Sequence, residues 1–491
     1  MKKIDWTSYK TILIAALIVR LIAAIFSQGY GMHDDHFLII EASSSWVDGY
    51  DYNHWLPWSP ESTGQPEGHS FTYVGLNYFY FYLFKWFGIT DPKILMLFNR
   101  LFHALFSLLV VYFGIKITEK LSNKENAVTV GWLLALLWMM PFLSVRNLVE
   151  FTTIPFIMWG MWLLLKNDWK WNFLMAGLLL GMAVSFRYQV GVFALAIAAV
   201  LFFRWQWTKF ILFCLGVLLV FGLTQGLVDY LIWGRPFAEF IGYSTYNVNE
   251  GTEYIPNNNY FMYLLVLMGA CLMPLGLLLG IGFFSSAKKY FLLFLPVIVF
   301  ILFHTFYPSK QERFILPVLP LFMILGVIGY QHYFNKESWQ KIWKFSVRAF
   351  WVINIPLLMV VTVAYSKKSR VEAMYYFYEA NETPIRILQE GTGESPISMP
   401  PKFYSGEWHA SDVPRTDTSQ LLTVFPDYKY DYILFYGEEN LQNRIAQYKI
   451  LFPEMELKKQ CHPSFVDGVL RWLNPRNSNE YIEVWKTHVL P

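Results

Sequence analysis

Charge is what this sequence has least of. Only 15% of its 491 residues are Asp, Glu, Lys or Arg, against about 25% in a typical soluble domain. That deficit excludes an ordinary soluble globule. The net charge of +3 is small and spread along the chain, so no basic patch speaks for a nucleic-acid partner. Cysteine is nearly absent too. Cys214, Cys271 and Cys461 lie far apart, the first two inside apolar runs, which supports neither a disulfide framework nor a zinc site. Internal repeats and low-complexity segments are also missing. The opening stretch "MKKIDWTSYKTILIAALIVRLIAAIF" has a basic start and an apolar run but no small-residue cleavage site, and reads as a retained first helix.

What is present is apolar: 55% of residues are hydrophobic and 19% aromatic. Many runs approach the roughly 20 residues that cross a bilayer as a helix. Lys and Arg cluster in alternate loops, and such clusters mark the cytoplasmic side. Between them lie the hydrophobic pairs 129–144 with 152–165, 171–186 with 190–203, 210–233 with 260–284, and 290–306 with 314–331. With the first run, 93–115 and a last run near 348–365, the reading is an α-helical polytopic membrane protein of about eleven transmembrane helices. The N-terminus is placed inside and the C-terminus outside. "FTYVGLNYFYFYLFKWFGI" (71–89) breaks the parity if it spans, so it is read as an interfacial or re-entrant helix. Residues 1–365 form the membrane module and 366–491 a small extracytoplasmic C-terminal α/β domain. In that domain "YDYILFYG" and "EYIEVWKT" read as strands flanking the helix "ENLQNRIAQYKILFP".

Polar groups collect on one predicted face. The long first external loop, 28–92, begins "GMHDDHFLIIEASSSW", with Asp34 and Asp35 between His33 and His36. Such a cluster can simply end a span in water. It can also supply a general base, because partial desolvation and a like-charged neighbour raise a carboxylate's pKa toward the working range. Two Asp and two His also resemble metal ligands, although adjacent side chains on a helix diverge. The same face carries Arg100, Arg146 with Glu150, Arg187, Asp229 with Arg235, and Lys310 with Glu312 and Arg313. Each alone is an ordinary helix-end charge. Together they predict an outward-facing polar cavity with cations for an anion such as a lipid-linked phosphate.

These residues resemble glycosyltransferase family 22, the lipid-phosphate-mannose-dependent mannosyltransferases of N-glycan and GPI-anchor assembly. "SKQERFILPVLPLF" is similar to the family's "HKEERFLFPxxPL" through Lys310, Glu312, Arg313, Phe314, Pro317 and Pro320. Ser309 replaces the family His, and Gln311 a Glu. "MHDDHFLIIE" resembles the first-loop motif through Asp34, Asp35 and Glu41, with Met32-His33 in place of His-Pro. "DYLIWGRPFAEFIGYSTYNVNEG" matches a later loop at Asp229, Gly234, Tyr246, Asn247 and Gly251. "SVRNLVE" echoes another motif through Arg146, Leu148 and Glu150.

The resemblance implies a GT-C fold, a polyprenyl-phosphate-linked sugar donor, and inversion at the anomeric carbon. It implies Asp34 as the base, with Asp35 the alternative, because the altered His-Pro leaves the register open by one residue. Lys310 and Arg313 would hold the donor phosphate, with Arg187 and Arg100 as further cations. Glu312, His33, Glu41, Asn247 and Tyr246 would orient these groups or bind sugar and acceptor. No cofactor and no metal is expected, since the leaving group is a phosphomonoester met by fixed cations. The implied partners are the polyprenyl-phosphate-linked sugar, a glycan or glycolipid acceptor and membrane lipids. The expected setting is a bacterial inner membrane with the site facing the periplasm. A transporter or flippase of lipid-linked saccharides and an O-antigen-ligase-like transferase are the competing readings. The missing repeat weighs against the first, and the "KxERF" element against the second.

Overall fold

The computed structural model describes residues 5–166, 168–249, 259–391, 399–415, 430–474 and 480–488; Gly251 of the motif lies outside them. Contacts divide the chain into two compact units. The first comprises residues up to Ala24, His54–Leu76 and Arg100–Thr362. The second comprises Ile25–Asn53, Asn77–Asn99 and residues from Val363 onward.

Every one of the eleven apolar segments is helical, but not all as single long rods. Among the described residues five helical stretches are long and apolar enough to cross a bilayer: Tyr9–Phe26, Pro92–Leu121, Trp207–Trp233, Glu312–Tyr333 and Glu337–Thr362. Leu275–Ser286 and Phe291–Phe306 form a pair bent by 119°, and Trp171–Phe186 and Val190–Phe203 are shorter apolar helices. The aromatic stretch at 71–89 forms a 16-residue helix, Phe71–Trp86.

Broken backbone in an apolar setting needs partners for its freed carbonyls, and the first unit supplies them. The helix Lys124–Leu136 stops short of Pro141, which opens the next turn, Met140–Ser144. Arg20, fully buried on the first helix, donates to the carbonyls of Leu134 (3.3 Å) and Ala135 (3.1 Å) and to Ser107 Oγ (3.0 Å). From the last long helix, Asn354 donates to the Leu136 carbonyl (2.7 Å) and accepts from the Trp138 amide (2.8 Å). A buried guanidinium and a buried amide thus close the gap that proline opens. Elsewhere, helices approach backbone to backbone where side chains vanish. A Cβ on Gly282 would stand 2.0 Å from the Gly326 carbonyl, and one on Gly329 2.0 Å from that of Gly282. Small residues at such crossings bring helices close enough for van der Waals packing to hold them.

The second unit carries a five-stranded sheet in the order β2-β1-β3-β5-β4. Its strands are β1 (Arg386–Glu390), β2 (Ser411–Arg415), β3 (Tyr432–Tyr436), β4 (Glu456–Cys461) and β5 (Ile482–Lys486). β1 pairs parallel with β2 and β3, while β5 runs antiparallel to β3 and β4. The expected strands at 430–437 and 480–487 are the central β3 and β5. The helix expected between them is Leu441–Leu451. One face of the sheet packs with Tyr30, Phe37 and Ile40 of the first loop and with Phe81, Leu95 and Met96. First-loop residues therefore share a core with the C-terminal sheet.

Candidate active site

In the first unit a buried carboxylate gathers two arginines. Glu150 stands in the first turn of the helix Val149–Lys166, its side chain fully buried. Arg187 follows the helix Trp171–Phe186 in extended backbone, which directs it away from the helix axis. Its Nη1 lies 3.0 Å from Glu150 Oε1. Arg313 Nε lies 3.5 Å from the same oxygen and donates to Gln311 Oε1 at 2.7 Å. Arg313 belongs to a short 3-10 turn, Glu312–Val318, where Pro317 limits helical hydrogen bonding. Phe314 sits beneath both guanidinium groups, at 4.7 Å from Arg187 and 5.6 Å from Arg313. One carboxylate thus serves two guanidinium groups.

Lys310 precedes this turn and is buried, its ammonium 5.8 Å from the centre of the Tyr260 ring. Desolvation holds its pKa below the ordinary lysine value. Glu312 is exposed. Asn247 Oδ1 accepts from Tyr307 Oη at 2.8 Å, and its amide donates to the Tyr243 carbonyl at 2.8 Å. Tyr246 is 47% exposed. Arg100 donates Nε to the Ala24 carbonyl at 2.7 Å, a tie to the end of the first helix. Arg146 is buried over the Phe142 ring at 4.1 Å. Asp229 accepts from the Glu239 amide (2.9 Å), and Glu239 accepts from the amides of Gly68 (2.7 Å) and His69 (2.9 Å). Burial pushes the Glu239 carboxyl up to about 7.

In the second unit the first-loop motif separates its acids by burial. The Asp34 side chain is 39% exposed, and His33 Nδ1 lies 3.8 Å from its Oδ1. Asp35 is buried. His36 and Glu41 form a closed pair, Nε2 to Oε1 at 3.0 Å, with neither side chain exposed. Both Glu41 oxygens also lie 3.0 Å from the Phe403 amide nitrogen, which donates to them. The His36 ring stacks between Tyr30 and Tyr404, at 4.3 and 5.6 Å. Burial pushes the Glu41 carboxyl up to about 8 and holds the His36 imidazole well below its usual range. Glu41, expected among sugar- or acceptor-binding groups, is engaged inside the fold. It joins the loop that carries Asp34 to the segment leading toward β2. Among the described residues no three His, Cys, Asp or Glu side chains converge as metal ligands.

Within the first unit the structure brings Arg187 and Arg313 together. Glu150, which the sequence places beside Arg146, is the carboxylate on which those two arginines meet. Its position in "SVRNLVE" was the available signal, but a glutamate near an arginine in one motif is first paired with that arginine. The long-range pairing with Arg187 and Arg313 is visible only in three dimensions.

The model of the Alg9-like mannosyltransferase family matches residues 11–396. No curated protein sequence matches the chain. Among solved structures, ArnT from Cupriavidus metallidurans in the apo state is similar at TM-score 0.63 and 12% identity, with 97% of each chain covered. The same protein bound to undecaprenyl phosphate gives 0.60 and 13%, covering 96% of this chain and 97% of that one. The Archaeoglobus fulgidus oligosaccharyltransferase in complex with Zn and sulfate gives 0.51 and 12%, covering 87% and 68%. All three share the GT-C fold.

Proposed function

Because the chain belongs to the Alg9-like mannosyltransferase family, we propose that it transfers mannose from a polyprenyl-phosphate carrier to a hydroxyl of a glycan or glycolipid acceptor. That it is an integral membrane glycosyltransferase follows from its family and its fold. The donor class has support in the undecaprenyl phosphate bound by the structurally similar Cupriavidus protein.

The observation that carries the reading is the convergence of Arg187 and Arg313 on Glu150. The acceptor oxygen attacks C1 of the sugar from the face opposite the phosphate and the configuration inverts. The acceptor proton passes to a carboxylate, and the C1–O bond breaks with its electron pair leaving on the lipid phosphate. That developing charge needs donors already in place, because fixed dipoles and cations cost no reorganisation at the moment of reaction. Arg187 and Arg313 fill that role, the planar guanidinium being suited to bidentate phosphate contact. Lys310, its ammonium partly stripped of water, adds a third donor. Glu150 and Gln311 are positioning residues that fix the rotamers of the two arginines. Gln311 accepts from Arg313 as an uncharged group. Asp34 is assigned as the base because it is the accessible member of the pair. His33 beside it orients the carboxylate. The site faces the extracytoplasmic side, the periplasm in a bacterial cell.

The test is turnover of a panel of radiolabelled polyprenyl-phosphate sugars by the full-length protein in liposomes. Asp34→Asn lowers turnover by about a hundredfold or more, the usual contribution of a general base, while Asp35→Asn retains most of it. Loss of less than tenfold in both variants rules out the carboxylate mechanism. Transfer from another sugar but not from mannose rules out the donor assignment alone.

A further inference from the structure

The helix Phe465–Leu473, "FVDGVLRWL", is amphipathic in an inverted sense. Its buried residue is Asp467, 1% exposed, and Arg471 one turn on reaches Glu480 at 3.1 Å, whereas Phe465 is 77%, Val469 38%, Trp472 81% and Leu473 66% exposed. The inward-facing aspartate is fully used. It forms a capping box with Ser464, and its two oxygens accept from the amides of Lys367 (3.1 Å) and Lys368 (3.2 Å). Those amides open the helix Lys368–Glu379, so the carboxylate also caps that helix. The helix is therefore held rigidly by its polar side and presents a large apolar side outward.

What Asp467 grips lies close in the chain to two apolar helices. Lys367 lies five residues after Thr362, where the last long apolar helix ends, a reach of at most roughly 18 Å of extended chain. The same segment is sewn to the residues that follow the first apolar helix, which ends at Phe26. Ser27 Oγ donates to the Ala364 carbonyl (2.8 Å), the Ser366 amide to the Gln28 carbonyl (3.1 Å), and Lys367 Nζ to the Gly31 carbonyl (2.7 Å). The helix is thus tied to two segments of its own unit that follow the ends of two apolar helices by only a few residues in the chain. Aromatic side chains such as Trp472 favour the headgroup zone, and a helix with one apolar face lies in that zone with the face against the acyl chains. An apolar surface of this kind on a soluble face would be a liability.

We propose that the helix Phe465–Leu473 is a membrane-interface anchor, seating the C-terminal sheet on the lipid surface with Phe465, Val469, Trp472 and Leu473 toward the acyl chains. The occupant of this face is lipid. Spin labels at Phe465→Cys, Val469→Cys and Trp472→Cys test this in full-length protein reconstituted in phosphatidylcholine–phosphatidylglycerol liposomes. Unsubstituted protein, in which Cys271 and Cys461 are buried and Cys214 is half-buried, serves as the labelling background. Glu439→Cys on an exposed loop of the same unit is the aqueous reference. Each labelled protein is first checked for wild-type thermal unfolding. The expected result is collision with dissolved oxygen at least several-fold above the reference and collision with a water-soluble nickel chelate several-fold below it. Labels that behave like the Glu439→Cys reference place the face in water and overturn the proposal. Labels shielded from both reagents show a protein cover, a second copy or another chain, and overturn it equally.

Discussion

Glu41→Gln separates two electrostatic descriptions of the first loop. The wild-type carboxyl is raised by burial from 4.5 to about 8, opposed by the Phe403 amide and by Lys402. A raised carboxyl is protonated in the fold and ionised in the unfolded chain between those two values. Its contribution to stability is whole below about pH 4.5 and falls by about 1.4 kcal/mol per pH unit up to the folded value. His36 acts in the opposite sense, since its pKa is depressed by burial and by nearby Lys367 and His33. It costs stability only below its unfolded value of about 6.5. Above pH 6.5 the folded histidine is neutral and the unfolded one loses its remaining charge, a contribution common to both proteins, so the difference between them reports the proton on Glu41. Over those 1.5 units the wild type loses about 2 kcal/mol that the glutamine variant keeps. The constant cost of altering the His36 and Phe403 hydrogen bonds cancels in the comparison. Chemical unfolding of both proteins in one detergent, at fixed pH steps, measures the difference. A stability gap that stays flat from pH 6.5 to 8 refutes the neutral pair. It would mean that the pair carries no proton in the fold, Glu41 being ionised beside a neutral His36.

Glu150→Gln, close in shape but uncharged, is expected to lower kcat/KM for the lipid-linked donor at least tenfold while leaving the acceptor KM near wild type. Steady-state kinetics with each substrate varied in turn check it, and an equal rise in both KM values would contradict the positioning role. Glu150→Ala additionally removes the carboxylate that Arg187 and Arg313 share, and removing one partner of a buried ion pair costs about 3–5 kcal/mol, readable as a lowered unfolding midpoint. Arg20→Leu deprives Leu134, Ala135 and Ser107 of a donor. At about 1 kcal/mol net per lost hydrogen bond, the variant should be destabilised by about 3 kcal/mol. Gly29→Ala puts a Cβ 1.8 Å from the Ser366 carbonyl at a backbone φ of +75°. The seam between residues 27–31 and 364–367 should then open, seen as faster amide exchange at Ser366 in the variant.

Much of the membrane part was legible because hydrophobic runs and helical hydrogen bonding are local properties. The apolar segments are helical, some of them in two pieces. What hydropathy alone did not show is where helices break. The gap at 137–139 follows from Pro141, but it is tolerable only because Arg20 and Asn354 arrive from helices far away in sequence. In the C-terminal unit, β3 and β5 announced themselves as apolar strands. β4, "ELKKQC", has mostly polar side chains, and nothing local marks it as the edge strand that β5 makes of it.

The candidate site divides along the same line. Lys310, Arg313 and the Asp34–Asp35 pair stand in short motifs whose charge exceeds what a loop needs, which is what makes them candidates from the chain itself. Burial is not written in a motif. Only the fold exposes Asp34, buries Asp35, and turns Glu41 from a sugar-binding candidate into a partner of His36 and Phe403. Likewise only the fold draws Glu150 to Arg187 and Arg313 and turns Asp467 inward with Trp472 outward. Local sequence decides which segments are apolar and which groups carry charge, because both are properties of single residues and their near neighbours. Tertiary structure decides which charges meet and which lose their water, because desolvation and pairing depend on what the rest of the chain brings alongside.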